Sequence, residues 1–108
     1  MPNKIERIQD PALRESLAQA KASLRTGDYA DVVHRSAEAY AELVRRRPEM
    51  LEGQTRLRTI FFFPRLGAQF QIGHDNQPAV IYEREKFIFS EAVTYFEFAV
   101  DSLVREGL

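Results

Sequence analysis

Apolar residues in the first 46 positions recur three or four residues apart, in two stripes separated by a short polar break. The first stripe consists of Leu13, Leu17, Ala20 and Leu24. The second consists of Tyr29, Val32, Val33, Ser36, Ala37, Tyr40, Leu43 and Val44. Apolar residues at this spacing lie on one face of a helix. The pattern therefore predicts two helices joined by a tight turn, an antiparallel helical hairpin over residues 10–46.

Residues with known capping preferences mark the ends of these two helices. Asp10 is a suitable N-cap, and Pro11 fits the first helical position. Gly27 suits the left-handed conformation that ends many helices, and Asp28 can cap the second helix. Residues 1–9 precede the first cap, so we expect them to form a loose N-terminal lead-in.

The hydrophobic period changes in the middle of the chain. A partial helical stripe predicts a short helix at about 49–63, which ends before Pro64 because proline disfavours helix in the preceding residue. Next, the segment QFQI alternates polar and apolar residues, and GHDNQP consists mostly of turn-forming residues. The segment AVIY is then rich in residues that favour strands. This order predicts a β-hairpin at about 68–84. The alternative is a plain loop followed by an earlier start of the last helix.

The end of the chain predicts a long C-terminal helix at about 90–106, with Ser90 as its N-cap. Its apolar residues fill an arc of about 180°, wider than the roughly 100° that a surface helix needs. The members of this arc are Ala92, Val93, Tyr95, Phe96, Ala99, Val100, Leu103 and Val104. Phe98 projects alone from the opposite, polar face. Such a helix requires neighbours on two sides.

Together these elements predict one mainly α domain over residues 1–108, with a small β-hairpin. A length of 108 residues is typical of a single domain. A hydrophobic content of 44% is too high for a disordered chain. No apolar run approaches the roughly 20 residues of a membrane span, and MPNKIERIQD lacks the apolar core of an export signal. We therefore expect a cytoplasmic, soluble protein with no membrane partner.

The charged residues and the missing cysteines narrow the candidate chemistry. With no cysteine, the chain has no disulfide, thiol nucleophile or thiolate metal ligand. Its net charge of -1 gives no general attraction to nucleic acid. Residues 45–65 nevertheless carry six arginines against two glutamates. These arginines either contact an anion or neutralise a helix end and form salt bridges. The candidate residues for the anion contact are Arg45, Arg46, Arg47, Arg58 and Arg65.

Three further residues were considered as catalytic groups or metal ligands. His34 and His74 lie on different predicted elements, and no third ligand is indicated. Glu91 is the one carboxylate with aromatic neighbours that could raise its pKa towards that of a general acid. A structural role is favoured for all three. We therefore predict no catalytic residue, no cofactor, no metal site and no enzymatic activity.

All eight phenylalanines follow residue 60. Phe61, Phe62 and Phe63 cannot all point inward from one helical turn, because their directions differ by about 100° each. The hairpin, the N-terminal helices, a second copy of the chain or a large ligand pocket could cover the surplus. Large exposed apolar patches usually mark contact sites, so we predict a homodimer. The predicted interface residues are Phe61, Phe62, Phe63, Tyr95, Phe96, Phe98 and Val100.

Two families resemble parts of the chain. Residues 12–46, which contain LRTGDYADVVHRSAEAY, resemble one helical hairpin of a tetratricopeptide repeat. The same hairpin, followed by SEAVTYFEFAVDSLV, resembles HEPN domains, which are small helical bundles and often dimers. HEPN ribonucleases carry an arginine four to six residues before a histidine, and neither histidine here has one. The resemblance therefore implies a non-catalytic member of that class.

The function that the sequence favours is a non-enzymatic protein–protein interaction module that self-associates, with another protein as a further partner. One alternative is a HEPN-like protein associated with a nucleotide or RNA through the arginines. The other is a small-molecule-binding protein or enzyme with an aromatic pocket.

Overall fold

The computed structural model describes residues 4–51, 59–61, 68–72, 78–82 and 84–108. The protein is mainly helical, as predicted. Its α-helices are α1 (Pro11–Thr26), α2 (Tyr29–Arg46) and α3 (Phe89–Arg105), and its strands are β1 (Thr59–Phe61), β2 (Ala68–Ile72) and β3 (Pro78–Tyr82). Two 3-10 turns lie at Lys4–Arg7 and Pro48–Leu51. Within these ranges no helix is long and apolar enough to cross a membrane.

The helical hairpin at 10–46 is confirmed, and the predicted caps form its ends. The Asp10 carboxylate accepts hydrogen bonds from two backbone N–H groups in the first turn of α1, at 2.9 and 3.0 Å. Gly27 ends α1 with a φ of 87°, in the left-handed region that favours glycine. Asp28 accepts a hydrogen bond from the Asp31 backbone N–H at 3.2 Å. These contacts are local, which explains why the sequence alone predicts them.

The expectation of a loose lead-in at residues 1–9 is wrong for residues 4–9; residues 1–3 lie outside the described part. A 3-10 turn buries Ile5 and the residue after the turn, Ile8, is fully buried. The Asp10 backbone N–H also donates to the Leu108 carbonyl at 2.6 Å. Two isoleucines three residues apart share one face of a helical turn, and here that face packs against the ends of α1 and α3.

The predicted short helix at about 49–63 is wrong where the structure describes that segment. Pro48–Leu51 forms one 3-10 turn, and Thr59–Phe61 is strand β1. β1 pairs antiparallel with β2, which places Ile60 opposite Phe70. Threonine, isoleucine and phenylalanine all favour strands. A neighbouring strand therefore outweighs the partial helical stripe.

The three strands form one antiparallel sheet in the order β1-β2-β3. Strands β2 and β3 fall within the segment predicted as a β-hairpin, about 68–84, and pair with Phe70 opposite Val80. The turn at 73–77 lies outside the described residues. Val80 and Tyr82, two residues apart on one face of β3, pack against α2 and its neighbours. The sheet thus lies beside the helices rather than apart from them.

Helix α3 begins one residue earlier than predicted, at Phe89, and ends at Arg105. Ser90 is therefore not its N-cap. Instead, the Glu91 side chain accepts a hydrogen bond from the Ile88 backbone N–H at 3.0 Å, so the helix start is fixed from inside its first turn. Helix α3 has neighbours on two sides, α1 and α2, as its wide apolar arc predicts, and most of that arc is buried within the chain rather than at an interface.

The buried residues form two clusters that share a boundary. The first core lies between the N-terminal turn, α1 and the C-terminal halves of α2 and α3, and includes Leu17, Leu43 and Leu103. The second core lies between the N-terminal halves of α2 and α3 and β3, and is centred on Tyr95. Tyr40 and Phe96 contact both clusters. The helices and β3 therefore form one packed unit.

Ser36 is the buried side chain whose polar atom lacks a hydrogen-bond partner in the described part of the chain. It lies fully buried on α2, and its hydroxyl has no hydrogen-bond partner there. We expect Ser36→Ala to raise the free energy of unfolding by about 1 kcal/mol, because the substitution removes a desolvated hydroxyl. Urea unfolding followed by circular dichroism measures this change.

Ser16→Ala on α1 is the matched control for Ser36→Ala. Ser16 is half-buried, so its substitution gives the same gain in helix propensity without removing a fully buried hydroxyl. We expect the gain at Ser36 to exceed the gain at Ser16. A loss of stability on Ser36→Ala would show that the hydroxyl is paired in the folded protein.

Candidate interaction surface

The predicted interface residues lie in different environments. Tyr95 and Val100 are buried in the second and first cores, so neither offers surface for a partner. Phe96 is half-buried between the two cores. Phe61 belongs to β1 by its backbone, and Phe62 and Phe63 lie outside the described residues.

Phe98 does not project alone, as the helical wheel suggested. Its ring centroid lies 5.0 Å from that of Tyr40, with the two planes inclined at 49°. This spacing is favourable for an aromatic pair. The Tyr40 hydroxyl is itself desolvated, and this burial raises the pKa of Tyr40. Phe98 therefore contributes to the contact between α2 and α3 within one chain.

The exposed large apolar side chains of the described residues are Ile88 and Phe89, at 63% and 54% exposure. We call these two residues the Ile88–Phe89 pair. The ring of Phe89 makes an edge contact with that of Tyr29, at a centroid distance of 5.8 Å. The sequence does not predict this exposed pair, because Ser90 is a typical N-cap residue and indicates a later start of the helix. The available signal was the segment KFIF, in which three large apolar residues precede the helical period.

A groove of about 280 Å³ adjoins the Ile88–Phe89 pair. It lies between the turn that joins α1 to α2 and the segment that leads into α3. Its lining residues are Gly27, Asp28, Tyr29, Ala30, Glu85, Lys86 and Phe87. Tyr29 lines the groove and also contacts Phe89, and Ile88 stands in the chain between Phe89 and Phe87, which also lines the groove. We call the groove and the Ile88–Phe89 pair together the α3 entry surface.

Arg84 and Glu91 support the segment beneath the α3 entry surface. The two side chains form a salt bridge, and the Arg84 guanidinium carbon lies 5.2 Å from the centroid of the Phe87 ring. The hydrogen bond from Arg84 lowers the pKa of Glu91, as does the bond from the Ile88 N–H. A general acid requires the opposite shift, so Glu91 has a structural role here.

The groove carries charges of both signs at its rim. Asp28, Glu85 and Lys86 are all exposed. Within the described ranges none of them takes part in a salt bridge, although Asp28 caps α2. The α3 entry surface thus combines an apolar centre with a mixed-charge rim, the composition found in many protein interfaces.

The arginines predicted for an anion contact are bound within the chain where the structure describes them. Arg45 and Arg46 both contact Glu42, at 2.6 and 3.0 Å, and Arg46 also reaches Asp10 at 2.6 Å. Arg47 donates to the Glu106 carbonyl at 3.1 Å. Arg58 and Arg65 lie outside the described residues.

These arginines shift the pKa values of their partners. Hydrogen bonds, first from the Leu13 N–H and then from Arg46, lower the pKa of Asp10. The hydrogen bond from Arg45 is the main cause that lowers the pKa of Glu42. Arg46 therefore joins the end of α2 to the cap of α1, and Arg47 joins it to the end of α3. These contacts favour the structural alternative over an anion site.

His34 lies exposed on α2 and covers Tyr82 of β3. The two ring centroids are 4.3 Å apart, and the Tyr82 hydroxyl donates to the His34 carbonyl at 3.5 Å. Burial raises the pKa of Tyr82. His74 lies outside the described residues. Among the residues that the structure places, no group of three or more His, Asp or Glu could hold a metal ion.

Comparisons of this chain with protein-family models, with curated proteins and with solved structures gave no match. The tetratricopeptide-like and HEPN-like resemblances therefore stay predictions, and the chemistry of the α3 entry surface carries the functional argument.

Proposed function

We propose that this chain is a non-enzymatic protein–protein interaction module that self-associates through the α3 entry surface. The observation that carries the proposal is the exposure of two adjacent large apolar side chains, Ile88 and Phe89, beside a groove. Burying such a pair removes apolar area from water, worth about 25 cal/mol per Å² before the costs of association are subtracted. This location replaces the one predicted around Tyr95 and Val100.

Contacts within the single chain also restrict the conformation of the α3 entry surface. The Arg84–Glu91 salt bridge and the contact of Arg84 with the Phe87 ring fix the segment that leads into α3. Phe89 is held against Tyr29. A preorganised surface loses less conformational entropy on binding, which favours association over an equally apolar but mobile segment.

The alternatives from the sequence receive less support. A nucleotide or RNA contact requires free cations, and Arg45, Arg46 and Arg47 each have a partner within the chain. The groove of about 280 Å³ is at the lower limit of volumes that hold small ligands, roughly 300 Å³. A protein surface therefore fits the α3 entry surface better than either alternative.

Light scattering on the full chain tests this proposal. We expect the average mass to rise above the 12.5 kDa of one chain as the concentration increases. A range of about 10 to 300 µM suits an interface smaller than the standard size. The double variant Ile88→Glu/Phe89→Glu should remain a monomer throughout, because two carboxylates cannot be buried unpaired.

The matched control is Ala18→Glu/Ala22→Glu, which adds the same two charges at exposed positions of α1. It should self-associate as the wild type does. A wild-type chain that stays monomeric over the whole range would overturn the proposal. So would equal loss of association in the control, since net charge rather than the α3 entry surface would then be responsible.

A further inference from the structure

We propose that two copies associate about a two-fold axis, with the Ile88–Phe89 pair of each copy docked over the groove of the other. This inference rests on the proposed function and adds the occupant and the geometry. In a two-fold dimer the same patch of both copies forms the interface, so the patch must fit itself. The α3 entry surface meets that requirement because it contains both a projection and a recess.

The projection and the recess lie side by side. Lys86 and Phe87 line the groove, and Ile88 and Phe89 follow them directly in the chain. The groove of about 280 Å³ is shallow and mostly open, so one face of a large apolar side chain from a partner can lie against it. A two-fold axis between the projection and the recess would fill both grooves at once.

The charges at the rim fit the same arrangement. Lys86 and Glu85 are adjacent and exposed, and Asp28 lies on the other wall of the groove. Across a two-fold axis, Lys86 of each copy can face an acidic residue of the other. Such rim pairs add little affinity but fix orientation. Because the rim carries both signs, it can pair with the same rim of a second copy, which a rim of one sign could not do.

Disulfide trapping tests the geometry directly, because the chain has no cysteine of its own. Ala30→Cys places a thiol in the groove wall, and Ile88→Cys places one on the projection. We expect an equimolar mixture of the two variants to form a crosslink between positions 30 and 88 under mild oxidation. It should form at least about tenfold faster than in a control mixture of Ala18→Cys with Ile88→Cys, since effective concentration governs the rate.

A second measurement does not depend on the cysteine variants. Lys86→Glu should weaken self-association, because each rim then carries acidic residues alone and they face one another. Mixing Lys86→Glu with Glu85→Lys should restore association as a heterodimer. Failure of Lys86→Glu to weaken association, or of the mixture to restore it, would count against the arrangement.

The outcomes separate this inference from the proposed function. Wild-type dimers with a rapid 30–88 crosslink support both. Wild-type dimers in which the 30–88 mixture crosslinks no faster than the control overturn the reciprocal docking and leave self-association standing. A wild-type chain that stays monomeric overturns both. Before any of these comparisons is made, circular dichroism establishes that each variant is folded, and light scattering under reducing conditions establishes that each cysteine variant still self-associates.

Discussion

Tyr95→Ala is expected to lower the free energy of unfolding by about 3–5 kcal/mol, the usual cost of removing a large aromatic side chain from a core. Tyr95 is fully buried, and its ring meets the edge of Phe87 at a centroid distance of 6.3 Å. A small domain is stable by only about 5–15 kcal/mol, so this substitution brings the protein close to unfolding at room temperature. Urea unfolding monitored by circular dichroism measures the loss.

Phe89→Ala is the matched control, because it removes an aromatic ring from the same helix. Phe89 keeps more than half of its surface exposed, so we expect a loss below about 1 kcal/mol. Both variants should be measured at low concentration, because association stabilises the folded chain by mass action. Similar losses in the free energy of unfolding for the two variants would contradict the burial of Tyr95 and the exposure of Phe89.

The contrast between Tyr95 and Phe89 shows which features of α3 the sequence predicts and which it does not. The periodicity of α3 correctly predicts which face is apolar, because that depends only on the spacing of residues along one helix. It does not predict how much of that face the chain itself covers, which depends on where α1 and α2 lie. The pattern therefore predicts Tyr95 at an interface, whereas in the structure α2 and the segment before α3 enclose it.

Local hydrogen bonds were predictable for the same reason, and non-local ones were not. The pairs Asp31–Arg35 and Glu42–Arg46 lie four residues apart on one helix, and both form. The salt bridge from Arg46 to Asp10 and the hydrogen bond from Arg47 to Glu106 join different helices. Nothing in the spacing of the sequence indicates them, so the arginines looked like candidates for an external anion.

Contacts between residues distant in sequence also determine the short segments and the candidate site, so the sequence does not predict these either. Residues 59–61 pair with a neighbouring strand, and Ile8 packs under the helices, because of contacts distant in sequence. Three or four residues carry too little periodic signal to outweigh such contacts. The groove joins residues 27–30 to residues 85–87. Only the fold brings these two segments together, so no sequence motif predicts the α3 entry surface.

Tyr40→Ala should lower the free energy of unfolding by about 2–4 kcal/mol, somewhat less than Tyr95→Ala because Tyr40 is only half-buried. The contact of Tyr40 with Phe98 is the more informative quantity to measure. Tyr40 contacts both cores, and its ring lies 5.0 Å from that of Phe98. A double-mutant cycle with Phe98→Ala should give a coupling energy of about 0.5–1.5 kcal/mol, the value expected for an aromatic pair.

The cycle decides between two roles for Phe98, because each role predicts a different pair of measurements. If Phe98 belongs to the contact between α2 and α3, coupling to Tyr40 is measurable and Phe98→Ala leaves the mass in light scattering unchanged. If Phe98 instead forms a self-association surface, as its position on the helical wheel suggested, coupling is close to zero and the variant dissociates. The ring geometry favours the first result. Dissociation without coupling would place the interface at Phe98 rather than at the Ile88–Phe89 pair.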